Sequence, residues 1–523
     1  MALTETRPST NDGGSVVADT PTAPTQVEEL IGSGDHLVIG RLFIGFSLMF
    51  LALASLGLVL AGIDGLSADG LIGLPDALSS SSLTALVMMG ALPLLLGLGI
   101  YIVPRQVGSP AIAFPRAAAL SLWGWLVAAA IFAIGVALDG GVSGSDLEGD
   151  RLSSVALGAM MVALSIGITC VAVTVLSHRP IGMGLSKVPF FSWSMLVAAP
   201  IWITTFGSTT AHLFLGRVSQ ANAAGLAEIW ESGVSWFLRA PGVYMLAIPA
   251  LGIAADVVAK NVGRRIQHYG LVQGCIAAFG VLSFGAWSQS PVALQTFVWI
   301  GWVLLAAVPV VAMLGALADT LRHGKPAPSA ALIGSVLVFL LVLGGVLAGA
   351  LQGLDTAGSG TLFGFDTTAL EWAQGFFLFG AALVGGLAGL SHWSRRTFSA
   401  PAPEGQGKGA VTAALLGAGL LATLYLVEGL AGAGDKSLNT EFFSAVFGIG
   451  GLLVFLAALA GLGMTLSAAK AGQESPDPDD DTGLTLEWAP EGEPVAGIEQ
   501  ELAYVNSPYP LADLRGDLDE ESS

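Results

Sequence analysis

Val103-Pro104-Arg105-Gln106-Val107-Gly108-Ser109-Pro110-Ala111-Ile112-Ala113-Phe114-Pro115-Arg116 is a basic, proline-punctuated turn between two apolar runs, 82–103 and 117–138. Each run is long enough to cross a hydrocarbon core of roughly 30 Å, and the turn reads as the place where the chain meets water and comes back. The same pattern extends outward in both directions. Apolar stretches lie near 38–63, 153–176, 190–214, 234–258, 268–288, 293–318, 329–351, 369–391, 410–432 and 440–466, so twelve spans are predicted. The pair 268–288 and 293–318, joined only by a short link around Pro291, is the weakest division. Hydrophobic residues make up 53% of the chain and charged residues 11%, and mean hydropathy is +0.74. A chain with so few charges must satisfy its backbone internally, which gives an all-α integral membrane protein.

The charges orient the spans. Loops after even-numbered spans hold Arg105, Arg116, Arg179, Lys187, Lys260, Arg264, Arg265, Arg322, Lys325, Arg395, Arg396 and Lys408, whereas those after odd-numbered spans hold only Arg151, Arg217 and Lys436. Basic loops stay inside, so both termini are expected in the cytoplasm of a multi-pass inner (plasma) membrane protein. Three segments follow: a disordered N-terminal tail over 1–36 with no cleaved leader, a twelve-helix transmembrane domain over 37–467, and an acidic tail over 468–523. Much of the formal charge of −19 belongs to the ends, which describes solvated tails rather than a nucleic-acid site. Within the acidic tail, Trp488 and the stretch Tyr504-Val505-Asn506-Ser507-Pro508-Tyr509-Pro510 form an aromatic, proline-rich segment. It reads either as a piece that docks on a neighbouring subunit or as an unstructured solubilising tail. Cys170 and Cys275 lack metal or disulfide spacing and read as small packing residues, and glycines such as Gly344, Gly345, Gly385, Gly386 and Gly389 suit close helix contacts.

Four ordered motifs carry a resemblance. The turn quoted above, with Ser121 and Trp123 beyond it, resembles the junction between the second and third helices of haem-copper terminal oxidase subunit I, the cytochrome c oxidase subunit I family. Arg179, Gly182, Met183, Leu185, Lys187, Pro189, Phe191 and Trp193 resemble the entry to that family's fifth helix. Pro241, Val243, Tyr244, Pro249 and Gly252 resemble its sixth, and Asp35-His36 with Ile39-Gly40 resembles the opening of its first. The resemblance implies a twelve-helix bundle of that type, membrane-embedded, holding two haems and a copper ion.

Its chemistry is absent from the matching positions. Low-spin haem ligation in the family needs a histidine in the second helix, where this chain has the serine run ending at Ser82. In the tenth helix the two haem-ligating histidines correspond to Ala373 and Gly375. The copper ligands correspond to Ala240, Gln289 and Ser290, and the proton-relay residues to Gly242, Ala111 and a position near Met313. The six histidines, His36, His178, His212, His268, His323 and His392, all fall in tails or at membrane edges. Serine, alanine and glycine offer no imidazole to iron or copper, so no catalytic residue, no metal and no cofactor is expected; haem and copper are read as lost relative to the family. The intramembrane methionines, Met88, Met89, Met160, Met161, Met195 and Met245 among them, read as core filler.

Polar groups inside spans are expensive and are functional hypotheses by default. Glu371, Glu428, Tyr244 and His212 are the candidates: the glutamates as proton binders or as partners of Arg239 or a backbone group, Tyr244 as a surviving structural aromatic, and His212 as an interfacial residue and the best single metal candidate. Three functions stay open. The first is a non-catalytic structural subunit of a respiratory electron-transfer complex, bound to other membrane subunits and lipid. The second is a working oxidase subunit with an unorthodox cofactor site, and the third a transporter or channel reusing the space the haems vacate. Bulky residues such as Trp372, Phe376 and Phe377 favour a filled centre.

Overall fold

The computed structural model describes residues 32–67, 70–141, 146–219, 233–238, 241–287, 293–355, 364–432, 438–477, 483–489 and 504–515. Twelve principal helices occur in chain order: α1 His36–Asp64, α2 Ser82–Gln106, α3 Pro115–Ala137, α4 Leu147–Ser177, α5 Phe190–Ser219, α6 Pro241–Val262, α7 Tyr269–Leu282, α8 Ala293–Arg322, α9 Ala330–Asp355, α10 Thr367–His392, α11 Glu404–Ala431 and α12 Thr440–Glu474. Among the described residues eleven are long and apolar enough to span a membrane. The exception is α7, one member of the weakest pair in the sequence, with only 14 α-helical residues. A five-residue 3₁₀ turn, Ser283–Trp287, continues it. Because 3₁₀ geometry rises about 2 Å per residue against about 1.5 Å for an α-helix, the extension brings the rod to about 30 Å.

Local chemistry sets the helix starts. Asp35 accepts from Leu37 N at 2.9 Å, Asp146 from Gly149 N at 2.6 Å, Asp366 from Thr368 N at 3.0 Å and Asn439 from Phe442 N at 3.1 Å. Each supplies an acceptor to the first-turn N–H groups that no helix satisfies by itself. In the turn that opens α3, Phe114 takes a left-handed φ of 55° and Pro115 sits in the first helical turn, where its missing N–H costs nothing. Inside α2 the residues Leu86–Ala91 form a π-helical turn, and the Trp125 indole of α3 donates to the Met88 carbonyl there at 3.0 Å.

Three helices make the centre. α2, α6 and α10 are buried along nearly their whole length, whereas the surrounding helices keep a broad outward face. Their few polar residues, Gln106, Asp256, Glu371 and Gln374 among them, therefore have to find partners inside the protein. α12 packs against both α11 and α1, bringing the two ends of the helical run together.

The end of the chain returns to the bundle. Residues 483–489 and 504–515 lie against the loops that follow α4, α6 and α10, and we refer to them as the strap. Lys187 Nζ donates to Val505 O at 2.8 Å, Val505 N to Ile181 O at 3.0 Å, Ile266 N to the Tyr509 hydroxyl at 3.2 Å and Arg396 Nη2 to Ala489 O at 2.5 Å. Arg265 pairs with Asp513, and the Lys260 ammonium sits 4.1 Å from the Trp488 ring centre. The aromatic segment of the tail thus seats on its own chain, a third outcome beside the neighbouring-subunit and unstructured readings. Its rings cover apolar surface and its acids meet the basic loops.

Candidate functional site

The described positions where the family resemblance implies ligands, Ser82, Ala373 and Gly375, lie where α2 meets α10, and they are closed by packing. Ser82 opens α2 and is 2% exposed, its hydroxyl without a hydrogen-bond partner among the described residues. Ala373 and Gly375 lie about two turns into α10 and are both buried. A Cβ placed on Gly375 would collide with Leu83 of α2, and one placed on Gly386 would lie 2.8 Å from Leu94 Cδ2. At Gly385 it would come within 2.9 Å of Ala250 Cβ and 3.2 Å of Ala250 Cα in α6. α10 therefore touches α2 and α6 at the distances small residues permit.

Beside this contact, aromatic rings occupy the space among α10, α11 and α12. Tyr425 stacks on Trp372 at 5.5 Å and on Phe376 at 5.6 Å, and meets Phe443 edge-on at 5.2 Å. Phe377 lies against α9, near Gly344. A hydroxyl, a methyl and a hydrogen at Ser82, Ala373 and Gly375 supply no nitrogen donor, and Leu83 packs directly against Gly375. The residues present do not fit haem. The copper positions Ala240, Gln289 and Ser290, together with Arg239 and Lys436, fall outside the described residues. Of the relay positions, Met313 and Gly242 are buried, and Ala111 lies in the turn before α3.

The polar candidates separate. Glu371 accepts from Ser235 Oγ at 2.9 Å and from Gln352 Nε2 at 2.7 Å, a network joining α9, α10 and the short segment before α6. Glu428, near the end of α11, accepts from Leu438 N at 2.8 Å and so ties that end to the start of α12. Tyr244 is buried with its ring 4.9 Å from Phe279, an aromatic packing role. His212 is on the outer surface of α5, beside Gly233. Nothing brings these four together. Met88, Met89, Met160, Met161, Met195 and Met245 are all buried among apolar neighbours. Of the histidines, His36 is buried at the first turn of α1, His178, His268 and His323 are exposed in loops, and His392 ends α10. Among the described residues no three His, Cys, Asp or Glu side chains cluster.

A different polar site stands at the basic end, under the strap. Gln106, the last residue of α2, donates from Nε2 to Asp256 Oδ2 at 2.8 Å and to Glu487 Oε1 at 3.2 Å. Its Oε1 accepts from Ser192 N at 3.1 Å and Ser192 Oγ at 2.6 Å. Asp256 also accepts from Phe190 N at 3.1 Å and Phe191 N at 3.0 Å, capping α5 from a neighbouring helix. Burial pushes the Glu487 carboxyl above the usual glutamate range. The sequence reading missed this cluster. One signal was available, since Asp256 is a carboxylate inside the apolar run 234–258 and by the rule applied to Glu371 and Glu428 required a partner.

Known proteins resemble this chain in sequence. The family described as "Cytochrome C and Quinol oxidase polypeptide I" matches residues 38–462. The quinol oxidase subunit 1 of Bacillus subtilis is 26% identical over 292 residues, covering 50% of this chain and 44% of that protein. The heme-copper oxidase subunit I+III of Aeropyrum pernix is 27% identical, covering 75% and 51%, and the cytochrome c oxidase subunit 1 of Bacillus subtilis is 25% identical, covering 82% and 73%. The match to the first two spans about half of their length. With a family match running from α1 into α12, over the same ordered helices that surround the closed centre, the chain belongs to the cytochrome c and quinol oxidase polypeptide I family.

Proposed function

We propose that this family member is a non-catalytic scaffold of a respiratory electron-transfer assembly, a multi-pass plasma membrane protein bound to other membrane subunits and to lipid, with both termini cytoplasmic. One observation carries the reading: α10 packs onto α2 through Gly375, against Leu83, at the level of Ser82 and Ala373, where the family resemblance implies imidazoles. Oxygen reduction needs iron and copper held within reach of oxygen, and neither the donors nor the space for the iron groups is provided by these residues. The Trp372–Tyr425–Phe376 stack supports a filled centre over a water-lined path. The asymmetry of basic residues among the loops supports the orientation.

What such a chain contributes is shape. A rigid bundle with the family's helix order presents the family's outer faces to neighbouring subunits whether or not its interior conducts electrons. The test is purification from its native membrane with associated subunits, followed by haem quantification per polypeptide and a reduced-minus-oxidised spectrum. The expected result is no haem assigned to this chain while partner subunits co-purify. One haem per copy of this polypeptide, or full retention of oxidase activity by the isolated chain, overturns the reading.

A further inference from the structure

One amide nitrogen, Gln106 Nε2, donates to two carboxyl groups from distant parts of the chain, Asp256 and Glu487. The amide cannot turn over, because its oxygen is held by both the N–H and the hydroxyl of Ser192. Asp256 has three donors, Gln106 Nε2, Phe190 N and Phe191 N, the complement a carboxylate takes. Glu487 is differently placed. It is 3% exposed, and its Oε2 has no hydrogen-bond partner of normal geometry. Beside it the fully buried Trp393 indole N–H and the Thr485 hydroxyl offer weaker donation to the carboxyl.

Two carboxylates sharing one donor repel each other, and a second buried charge held by fewer well-placed donors than the first is costly. We infer that Asp256, Gln106 and Glu487 form a proton-binding site in which Asp256 is the charged member, Glu487 carries the proton, and the bound proton fastens the strap to the bundle. The proton comes from water and returns to it; no other bond changes. The charged and titratable groups around the pair are otherwise engaged. From α6, Lys260 lies over the Trp488 ring, and from the short helix after α10, Arg396 donates to Ala489 O. His392 meets Trp488 edge-on at 5.4 Å. The Tyr269 hydroxyl of α7 donates to Val188 O, and the Tyr509 hydroxyl of the strap accepts from Ile266 N. From α2, Arg105 lies over Tyr101. At the far end of the strap Arg265 pairs with Asp513.

The sign follows from burial, which raises the Glu487 carboxyl in the docked state. A group whose docked value is raised contributes its attachment below its free value and loses it as pH rises through the docked one. The strap is therefore held at low pH and released at high pH. The test is hydrogen exchange by mass spectrometry on the full chain in lipid nanodiscs, with rates corrected for intrinsic pH dependence, read on residues 483–489. Protection there is expected to fall by at least about tenfold between about pH 4 and about pH 9 while α2 and α6 stay protected. Glu487→Gln, an uncharged isostere of the protonated acid, is expected to stay protected throughout. Asp513→Asn is expected to lower protection at every pH without changing the dependence. A flat profile in the unmodified chain overturns the inference. So does a Glu487→Gln variant that titrates like the parent or is unprotected at all pH, or loss of the pH dependence in Asp513→Asn.

Discussion

The centre of the bundle and the site under the strap hold together by opposite means. Where α10 meets α2 and α6, stabilisation is spread over many apolar contacts, none of which carries much, and small residues allow the backbones to approach. Under the strap a few polar groups carry it, and each is bound to several others: Asp256 to three donors, and Gln106 to two carboxyls and a serine. The difference teaches how damage propagates. A lost methyl group at the centre is answered by neighbours that shift slightly, whereas a lost carboxylate under the strap leaves several buried donors with nothing to bind.

Substitutions can break or sharpen that contrast, beginning with the largest. Asp256→Ala strands Phe190 N and Phe191 N, leaves Gln106 Nε2 only Glu487, and is expected to lower stability by about 4 kcal/mol in detergent unfolding experiments. A cost under about 1 kcal/mol would mean that water replaces the carboxylate and that the site is not dry. Phe376→Ala opens a cavity within the Trp372–Tyr425 stack and is expected to cost about 3 kcal/mol in the same measurement, without conferring haem absorbance on protein expressed with added haem. Gain of a Soret band would show that only ring volume keeps the porphyrin out. Gly385→Leu forces α10 away from Ala250 and is expected to cost about 2 kcal/mol, read as a lowered thermal midpoint. If it exceeds Asp256→Ala, the proposed contrast is reversed. Asp513→Ala removes a half-exposed ion pair with Arg265 and should change global stability by less than about 1 kcal/mol.

Much of this was legible in the sequence because it depends on local patterns. Apolar runs of sufficient length placed the twelve principal helices, and the motif around Phe114-Pro115-Arg116, with three others in order, identified the family. The filling of the centre was visible in Trp372 and Phe376, though the stacking partner Tyr425, in α11, was not. What escaped was long-range pairing. Gln106 and Asp256 are 150 residues apart and Gln106 and Glu487 are 381 apart, and no periodicity joins them. Asp256 gave a warning by charge alone. Glu487 gave none, because in an acidic tail one more glutamate looks like its neighbours. The length of α7 was equally hidden, since its final turn tightens from α to 3₁₀ geometry through contacts made elsewhere.

Synthesis runs from the N-terminal side, and the strap, which follows α12 in the chain, therefore leaves the ribosome after all twelve helices. Until then Lys187, Lys260, Arg265 and Arg396 face water and lipid headgroups uncovered, free to retain their loops on one side while the helices are threaded in pairs. Only after α12 has entered the bilayer can Trp488, Val505 and Asp513 reach them. The polar cluster is then the closing step of biogenesis, and a chain stopped short of residue 483 would be fully inserted yet unsealed.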